Sequence, residues 1–271
     1  MGRAGHALKK VARSASKLAF TAADPLFGTF PGPRILIYHQ IGAGLGRQME
    51  VTEDAFVAQL DWLEAEASVV DLETAVARRG EPDAHRLAVL TFDDGYEDLY
   101  RIGFPELRRR ALPFTVYLTT HPVESGQPLT PGGAADPLTW GQVEEMAGGG
   151  LMTLGAHTHR HPDMRDLTAD QIEDELATSD ELIARRTGIE PRHFTYPWGY
   201  WSQTADGIVR KRYVTATLGS GRPVTSDSDP AALNRVPVQL ADGVVFFKRK
   251  MRTGLRLEDR VRRRLTGYDG P

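Results

Sequence analysis

Two short stretches hold residues whose types and spacing can do chemistry. Asp93 and Asp94 are adjacent in Thr91-Phe92-Asp93-Asp94-Gly95-Tyr96, and His157 and His161 stand four apart in His157-Thr158-His159-Arg160-His161. Adjacent carboxylates repel, and each raises the other's pKa unless a cation intervenes. A metal ion is the simplest cation that lets both stay ionised, one carboxylate ligating and the other free to act as a base. Two imidazoles four residues apart can reach one point from a helical turn or a tight loop. With Asp94 they make a two-histidine, one-carboxylate set. That set suits Zn²⁺ and also accommodates Fe²⁺, Co²⁺ or Ni²⁺. Three protein ligands leave positions open for water and substrate, as in a catalytic site. His159, between the pair, is expected to point away. Each stretch alone has a plainer reading: Asp-Asp-Gly as a turn, and the histidines as a polar surface loop.

The elements that must position these residues favour the chemical reading. Arg86-Leu87-Ala88-Val89-Leu90 is an apolar run that predicts a buried strand leading into the aspartates. Gly95 gives the chain the freedom for a sharp exit. Leu99, Ile102, Phe104 and Leu107 give residues 97–110 helical spacing. Strands are also expected at 35–38, 68–70, 113–118, 151–155, 192–196, 213–218 and 233–238. Helices are expected at 52–65, 72–79, 139–147, 168–186 and 202–211, with Thr52 and Thr139 as caps. Residues 121–137, rich in Gly and Pro, read as a loop able to shape a substrate cleft. Repeated βα units imply an α/β protein with a parallel sheet that can close into a barrel. His39, the aspartates, the histidine stretch and Pro197-Trp198-Gly199 all follow expected strands. They therefore fall on the rim of an αβ barrel where chemistry collects.

Composition narrows the classes. The 271 residues suffice for one such barrel, and 41% hydrophobic and 25% charged residues are ordinary for a soluble domain. There is no cysteine, which excludes disulfides, thiolate zinc sites and cysteine nucleophiles. The net charge of −3 divides into +4 over residues 1–33, +6 over residues 248–271 and −13 between them. An acidic body does not fit nucleic-acid binding, whereas the basic ends could touch an anionic membrane. Residues 1–33 read as a basic extension, 34–247 as the catalytic domain and 248–271 as a basic tail. Neither a secretory signal nor a run of roughly 20 apolar residues is evident, so the expected location is cytoplasmic, with peripheral membrane contact through the ends as one option.

Thr-Phe-Asp-Asp-Gly-Tyr at 91–96 and His157-Thr158-His159-Arg160-His161 after Gly155-Ala156 resemble the first two motifs of the polysaccharide deacetylases, the NodB-type enzymes of carbohydrate esterase family 4. The resemblance extends from Ile35 to Val238. It implies a distorted (β/α)7–8 barrel, TIM-like, and a metal-dependent hydrolase that removes the N-acetyl group from an amino sugar in a polysaccharide, oligosaccharide or glycoconjugate. It makes Asp93 the base acting on a metal-bound water, and Asp94, His157 and His161 the ligands of one divalent ion, zinc first, with cobalt, nickel or iron as options. The backbone N–H of Trp198, in Tyr196-Pro197-Trp198-Gly199, takes the place of an oxyanion donor, with Tyr196 beside it. The chain departs from the usual pattern where Leu233-Asn234-Arg235 replaces Leu-x-His. Tyr38-His39 resembles a subgroup in which an early histidine is the general acid, so His39 is nominated for that role. Arg235 is nominated to orient Asp93 by a charge-assisted hydrogen bond. An amidase opening cyclic amides or ureides on the same fold, and an inactive carbohydrate-binding barrel, are the alternatives.

Overall fold

In a computed structural model, the described residues are 30–129 and 135–253. The basic segments 1–29 and 254–271 lie outside them. The elements follow one another as β1 (Arg34–Tyr38), β2 (Gln40–Ile41), β3 (Glu50–Val51), α1 (Glu53–Glu66), β4 (Ser68–Val69), α2 (Leu72–Ala77), β5 (Leu87–Asp94), α3 (Phe104–Arg109), β6 (Phe114–Leu118), α4 (Thr120–Ser125), α5 (Trp140–Gly148), β7 (Met152–Ala156), α6 (Ala169–Thr187), β8 (His193–Thr195), α7 (Gln203–Arg212), β9 (Thr215–Leu218), β10 (Leu233–Asn234), β11 (Val236–Pro237) and α8 (Gly243–Thr253). Nine strands form one parallel sheet in the order β10-β9-β8-β7-β6-β5-β1-β11, with β4 beside the start of β5. The two ends of that order are consecutive in the chain. Leu233–Asn234 pairs with β9, Val236–Pro237 pairs with β1, and Arg235 stands between them. One short segment thus joins the open edges, giving the nearly closed αβ barrel.

Register brings the strand ends level. Tyr38 pairs with Phe92, Asp94 with Leu118, and Leu118 with Ala156. The residues that follow therefore reach a common rim. All eight residues of β5 are buried, and their alternation sorts them into two environments. Ala88, Leu90 and Phe92 join the large core beneath the helices, where Phe92 stacks on Tyr38 with ring centroids 5.3 Å apart. Val89 joins Ile35, Tyr117 and Leu233 in a smaller apolar cluster. Thr91 and Asp93, next on that same face, form a polar layer.

The helices carry local signals that explain their starts. Thr52 caps α1, and Thr139 with Gln142 and Thr168 with Gln171 make capping boxes for α5 and α6. Trp62 and Trp140 pack against the large core while remaining partly exposed. The structure departs from the sequence reading in four places. The expected loop at 121–137 begins with helix α4, a six-residue element with Pro122 in its first turn, too short to show a period. The last expected strand divides in two. A further helix, α8, crosses residue 247 and packs on α1 through Trp62 and Phe247. The helical stretch after β5 opens with a π-turn at Leu99–Gly103. Among the described residues, no helix is long and apolar enough to cross a membrane.

Asp98 fixes that π-turn against β2 and is nearly buried, with Oδ1 lacking a hydrogen-bond partner. Burial, the largest influence, pushes its pKa up to about 7. The Ile41 backbone hydrogen bond and Arg101 oppose this, and the charges of Glu97 and Glu50 add to it. An unfolded aspartate ionises near 3.9, so the native state holds the extra proton between roughly pH 4 and 7, and stability falls as pH rises through that window. Asp98→Asn is expected to gain ~1–2 kcal/mol over the parent at pH 8 and nothing at pH 4, read by urea unfolding at the two pH values.

Candidate active site

The rim encloses a cavity of about 360 Å³ lined by His39, Asp93, Asp94, His157, His161, Tyr196, Trp198 and Arg235, so every residue singled out in the sequence meets there. Asp94 ends β5, and both histidines lie in the loop after β7. Ligand atoms of Asp94, His157 and His161 fall within 4.8 Å of one another. The Nε2 atoms of His157 and His161 stand 3.4 and 3.5 Å from Asp94 Oδ1. That oxygen is buried and has no hydrogen-bond partner.

The donor set fits a metal ion. His157 Nδ1 lies 2.7 Å from the Thr195 carbonyl, which can only accept, so the proton sits on Nδ1 and Nε2 presents its lone pair to the site. Burial, chiefly, lowers the His161 pKa to about 4 despite the attraction of Asp94, so at neutral pH this imidazole has the uncharged, ligating form. Burial works against the charge of Asp94, but the imidazoles of His157, His161 and His39 around it outweigh this and hold the carboxyl well below its usual range. The Tyr96 hydroxyl also hydrogen-bonds Asp94. His159 points away, its Nδ1 2.9 Å from Thr120 Oγ1.

Asp93 is held differently. Arg235 Nη1 and Nη2 donate to its two oxygens, each at 2.7 Å, in a bidentate pair with both partners nearly buried. The same two nitrogens donate to Thr91 Oγ1 at 2.9 Å and Thr195 Oγ1 at 2.7 Å. The guanidinium carbon sits 5.2 Å from the Tyr117 ring centroid. Residue 155 must be glycine for that ring to fit, since a Cβ there would lie 2.7 Å from Tyr117 Cδ1. Burial again opposes ionisation of Asp93, but the Arg235 charge and hydrogen bonds, helped by His39 and His157, lower its pKa below the ordinary value.

His39 follows β1, and its Nδ1 is buried without a hydrogen-bond partner. Tyr196 is buried, edge-on to Phe194. Trp198 is half exposed, its ring 5.0 Å from that of His161. Hydrogen bonds run from the Gly199 and Tyr200 amides to the Tyr196 and Pro197 carbonyls, and the Trp198 N–H takes no part in them. A Cβ on Gly199 would come 2.7 Å from Gly219, so the turn lies directly against the next strand end. Sequence reasoning missed Thr91, Thr195 and Tyr96. The threonines are ordinary strand residues whose roles follow only from where Arg235 lands, although Tyr96 stands within the aspartate motif itself.

Residues 80–216 match the family model described as polysaccharide deacetylase, half of the chain. The chain belongs to the polysaccharide deacetylase family. It is 26% identical to the candidate polysaccharide deacetylase YxkH of Bacillus subtilis over 208 residues, 75% of this chain and 70% of that protein. It is 23% identical to the poly-β-1,6-N-acetyl-D-glucosamine N-deacetylase of Staphylococcus epidermidis over 204 residues, 71% of this chain and 69% of that protein. The solved structure of IcaB from Ammonifex degensii superposes with a TM-score of 0.67 and 25% identity over 77% of this chain and 92% of that one. In this chain the rim carries the polar residues and the barrel carries the packing.

Removing Arg235 leaves a buried carboxylate without its counter-charge. Arg235→Met is expected to raise the Asp93 pKa, since the charge that lowers it is gone. Whatever activity survives should then have its acidic limb moved to higher pH, with stability reduced by ~3–5 kcal/mol. Arg235→Lys, which keeps the charge but loses the fork, should restore part of both, and pH–rate profiles of the three proteins read the difference.

Proposed function

We propose that this protein is a metal-dependent hydrolase that removes the acetyl group from the nitrogen of an amino sugar in a polysaccharide, oligosaccharide or glycoconjugate. The observation that carries the reading is the pairing of two adjacent carboxylates in opposite settings. Asp93 is neutralised by Arg235, whereas Asp94 presents an unpartnered buried oxygen beside two imidazole nitrogens. Family membership supports the reaction class, and the likeness to the Staphylococcus epidermidis N-deacetylase supports the bond. The catalytic unit we assign is the barrel from residue 34 to 247.

Asp94, His157 and His161 would hold a divalent ion, zinc by our assignment from the donor set, and that ion would supply Lewis acidity to a water and to the acetyl carbonyl. The chain's own groups do the rest. Asp93 takes the proton of the attacking water, and the Arg235 clamp keeps its carboxylate ionised and aimed. The Trp198 N–H donates to the oxygen that becomes negative as the carbon turns tetrahedral, and Tyr196 backs the same wall. His39 gives a proton to the nitrogen as the carbon–nitrogen bond breaks, so acetate and a free amine leave. An amine is a poor leaving group without that proton, whereas an activated phenol departs unaided.

Acetate release from N-acetylglucosamine oligomers by zinc-loaded enzyme, with no turnover of hydantoin or allantoin rings, tests the reaction. Asp93→Asn should retain bound zinc by elemental analysis while losing activity by about 10²–10⁴-fold, and unchanged acetate release in that variant overturns the base assignment. His39→Gln should slow the amide substrate by about 10²-fold and leave hydrolysis of an aryl acetate almost untouched. Equal losses on both substrates would exclude His39 as the acid.

A further inference from the structure

The cavity holds two donors that hydrolysis does not use. Among the described residues, Arg47 and Arg235 are the Lys and Arg side chains lining it. Arg235 is committed to Asp93. Arg47 is half-buried, and its guanidinium makes no ion pair or hydrogen bond among the described residues. Its position is nonetheless built. Glu50, buried on β3, accepts the backbone N–H of Arg47 at 3.3 Å and that of Gly44 at 2.5 Å, so the carboxylate grips the loop and leaves the arginine side chain unpaired. Arg47 shares the cavity wall with Asp94, Tyr96 and His161.

Gln40 supplies the second observation. It pairs with Glu50 in the β2–β3 ladder, lines the same cavity and is 3% exposed, yet its Nε2 has no hydrogen-bond partner. A buried amide donor left unpaired is costly, and an acceptor brought by the substrate would relieve that cost. The fixed charges agree. Asp93 is paired with Arg235, the Glu50 carboxylate is taken up by the Gly44 and Arg47 backbone N–H groups, and the Arg47 guanidinium belongs neither to the Asp93 pair nor to the Asp94, His157 and His161 group. A neutral amino sugar offers it nothing beyond hydroxyls.

We propose that Arg47 and Gln40 form a subsite for an anionic oxygen group on the substrate, adjacent to the acetamide being cleaved. The group is a carboxylate of an acidic amino sugar or a phosphate on the sugar. This rests on the deacetylase reading and narrows its substrate class. Arg47 sets specificity and takes no part in bond breaking.

The test uses the full zinc-loaded chain carrying His39→Gln, which keeps the Asp93–Arg235 pair and slows turnover, and calorimetric titration with three probes. They are neutral di-N-acetylchitobiose, a disaccharide containing N-acetylmuramic acid, and N-acetylglucosamine 6-phosphate. At least one anionic probe should bind about tenfold or more tightly than the neutral one, and the preferred probe identifies carboxylate or phosphate as the source. Adding Arg47→Gln should lower that anionic-to-neutral ratio about tenfold, with Arg47→Lys intermediate and rising salt shrinking the preference. Gln40→Leu should lower the ratio by a smaller factor. A ratio near one in the parent, or a ratio unchanged by Arg47→Gln, overturns the subsite. Acetate release by the wild-type enzyme from the neutral probe with no charge preference removes this inference and leaves the deacetylase reading intact. A charge preference without acetate release from any probe does the reverse.

Discussion

The fork between Arg235 and Asp93 is the constraint around which the barrel is arranged. Both charges are nearly out of contact with solvent, and neither tolerates that setting alone. Thr91 and Thr195 take the remaining directions of the two terminal nitrogens, and those hydroxyls are in turn placed by the Leu36 and Thr217 carbonyls of neighbouring strands. Four strands thus agree on one planar cation. A buried ion pair contributes little net stability over a well-packed apolar substitute. Its benefit here is positional: a carboxylate at the rim is fixed in direction and charge by a group from the segment that closes the sheet.

Backbone strain gathers at the same place. Among the described residues, the non-glycine positions with left-handed φ are Asp94 at 73°, Ala111 at 51°, Thr158 at 63°, His161 at 61° and Trp198 at 62°. Four of the five belong to the rim. Each such conformation costs on the order of 1–3 kcal/mol and persists only where the surroundings enforce it. The strain has a geometric use. A strand alternates its side chains, so Asp93 and Asp94 would face opposite sides of the sheet if β5 continued regularly. The reversal of φ at Asp94 breaks the alternation and lets adjacent carboxylates serve one cavity. The same device at Thr158 and His161 folds the histidine loop back over Asp94, with the Thr158 hydroxyl accepting the His161 N–H at 3.0 Å.

What the sequence disclosed follows from where side-chain chemistry is periodic or rare. The apolar run before Asp93 and the strand–helix alternation made the barrel legible. Paired aspartates, spaced histidines and the arginine in place of the usual histidine are scarce enough to single out residues that the structure brings to one cavity. What stayed hidden depends on long-range placement. The segment from Leu233 to Val238 looks like one strand because its two halves have the same composition, and nothing local says that they bond different neighbours. The left-handed turns fall on Asp, Thr, His and Trp, which carry no glycine to mark them. Arg47 and Gln40 read as ordinary polar residues until Glu50 is seen to hold the loop by its backbone.

The seam also sets the order in which the molecule acquires its chemistry. Asp93 and Arg235 are 142 residues apart in the chain, and the segment carrying the arginine, between β10 and β11, is among the last to be synthesised. A nascent polypeptide can pair β1 with β5 and extend the sheet to β9 while still on the ribosome, and its aspartates and histidines will already stand near one another. Until the final segment bridges the two edges, however, the aspartate beside the ligand set has no counter-ion and no fixed direction. Sheet formation therefore precedes this pairing, and a chain that stops before residue 235 has most of its motifs and an Asp93 without its counter-ion.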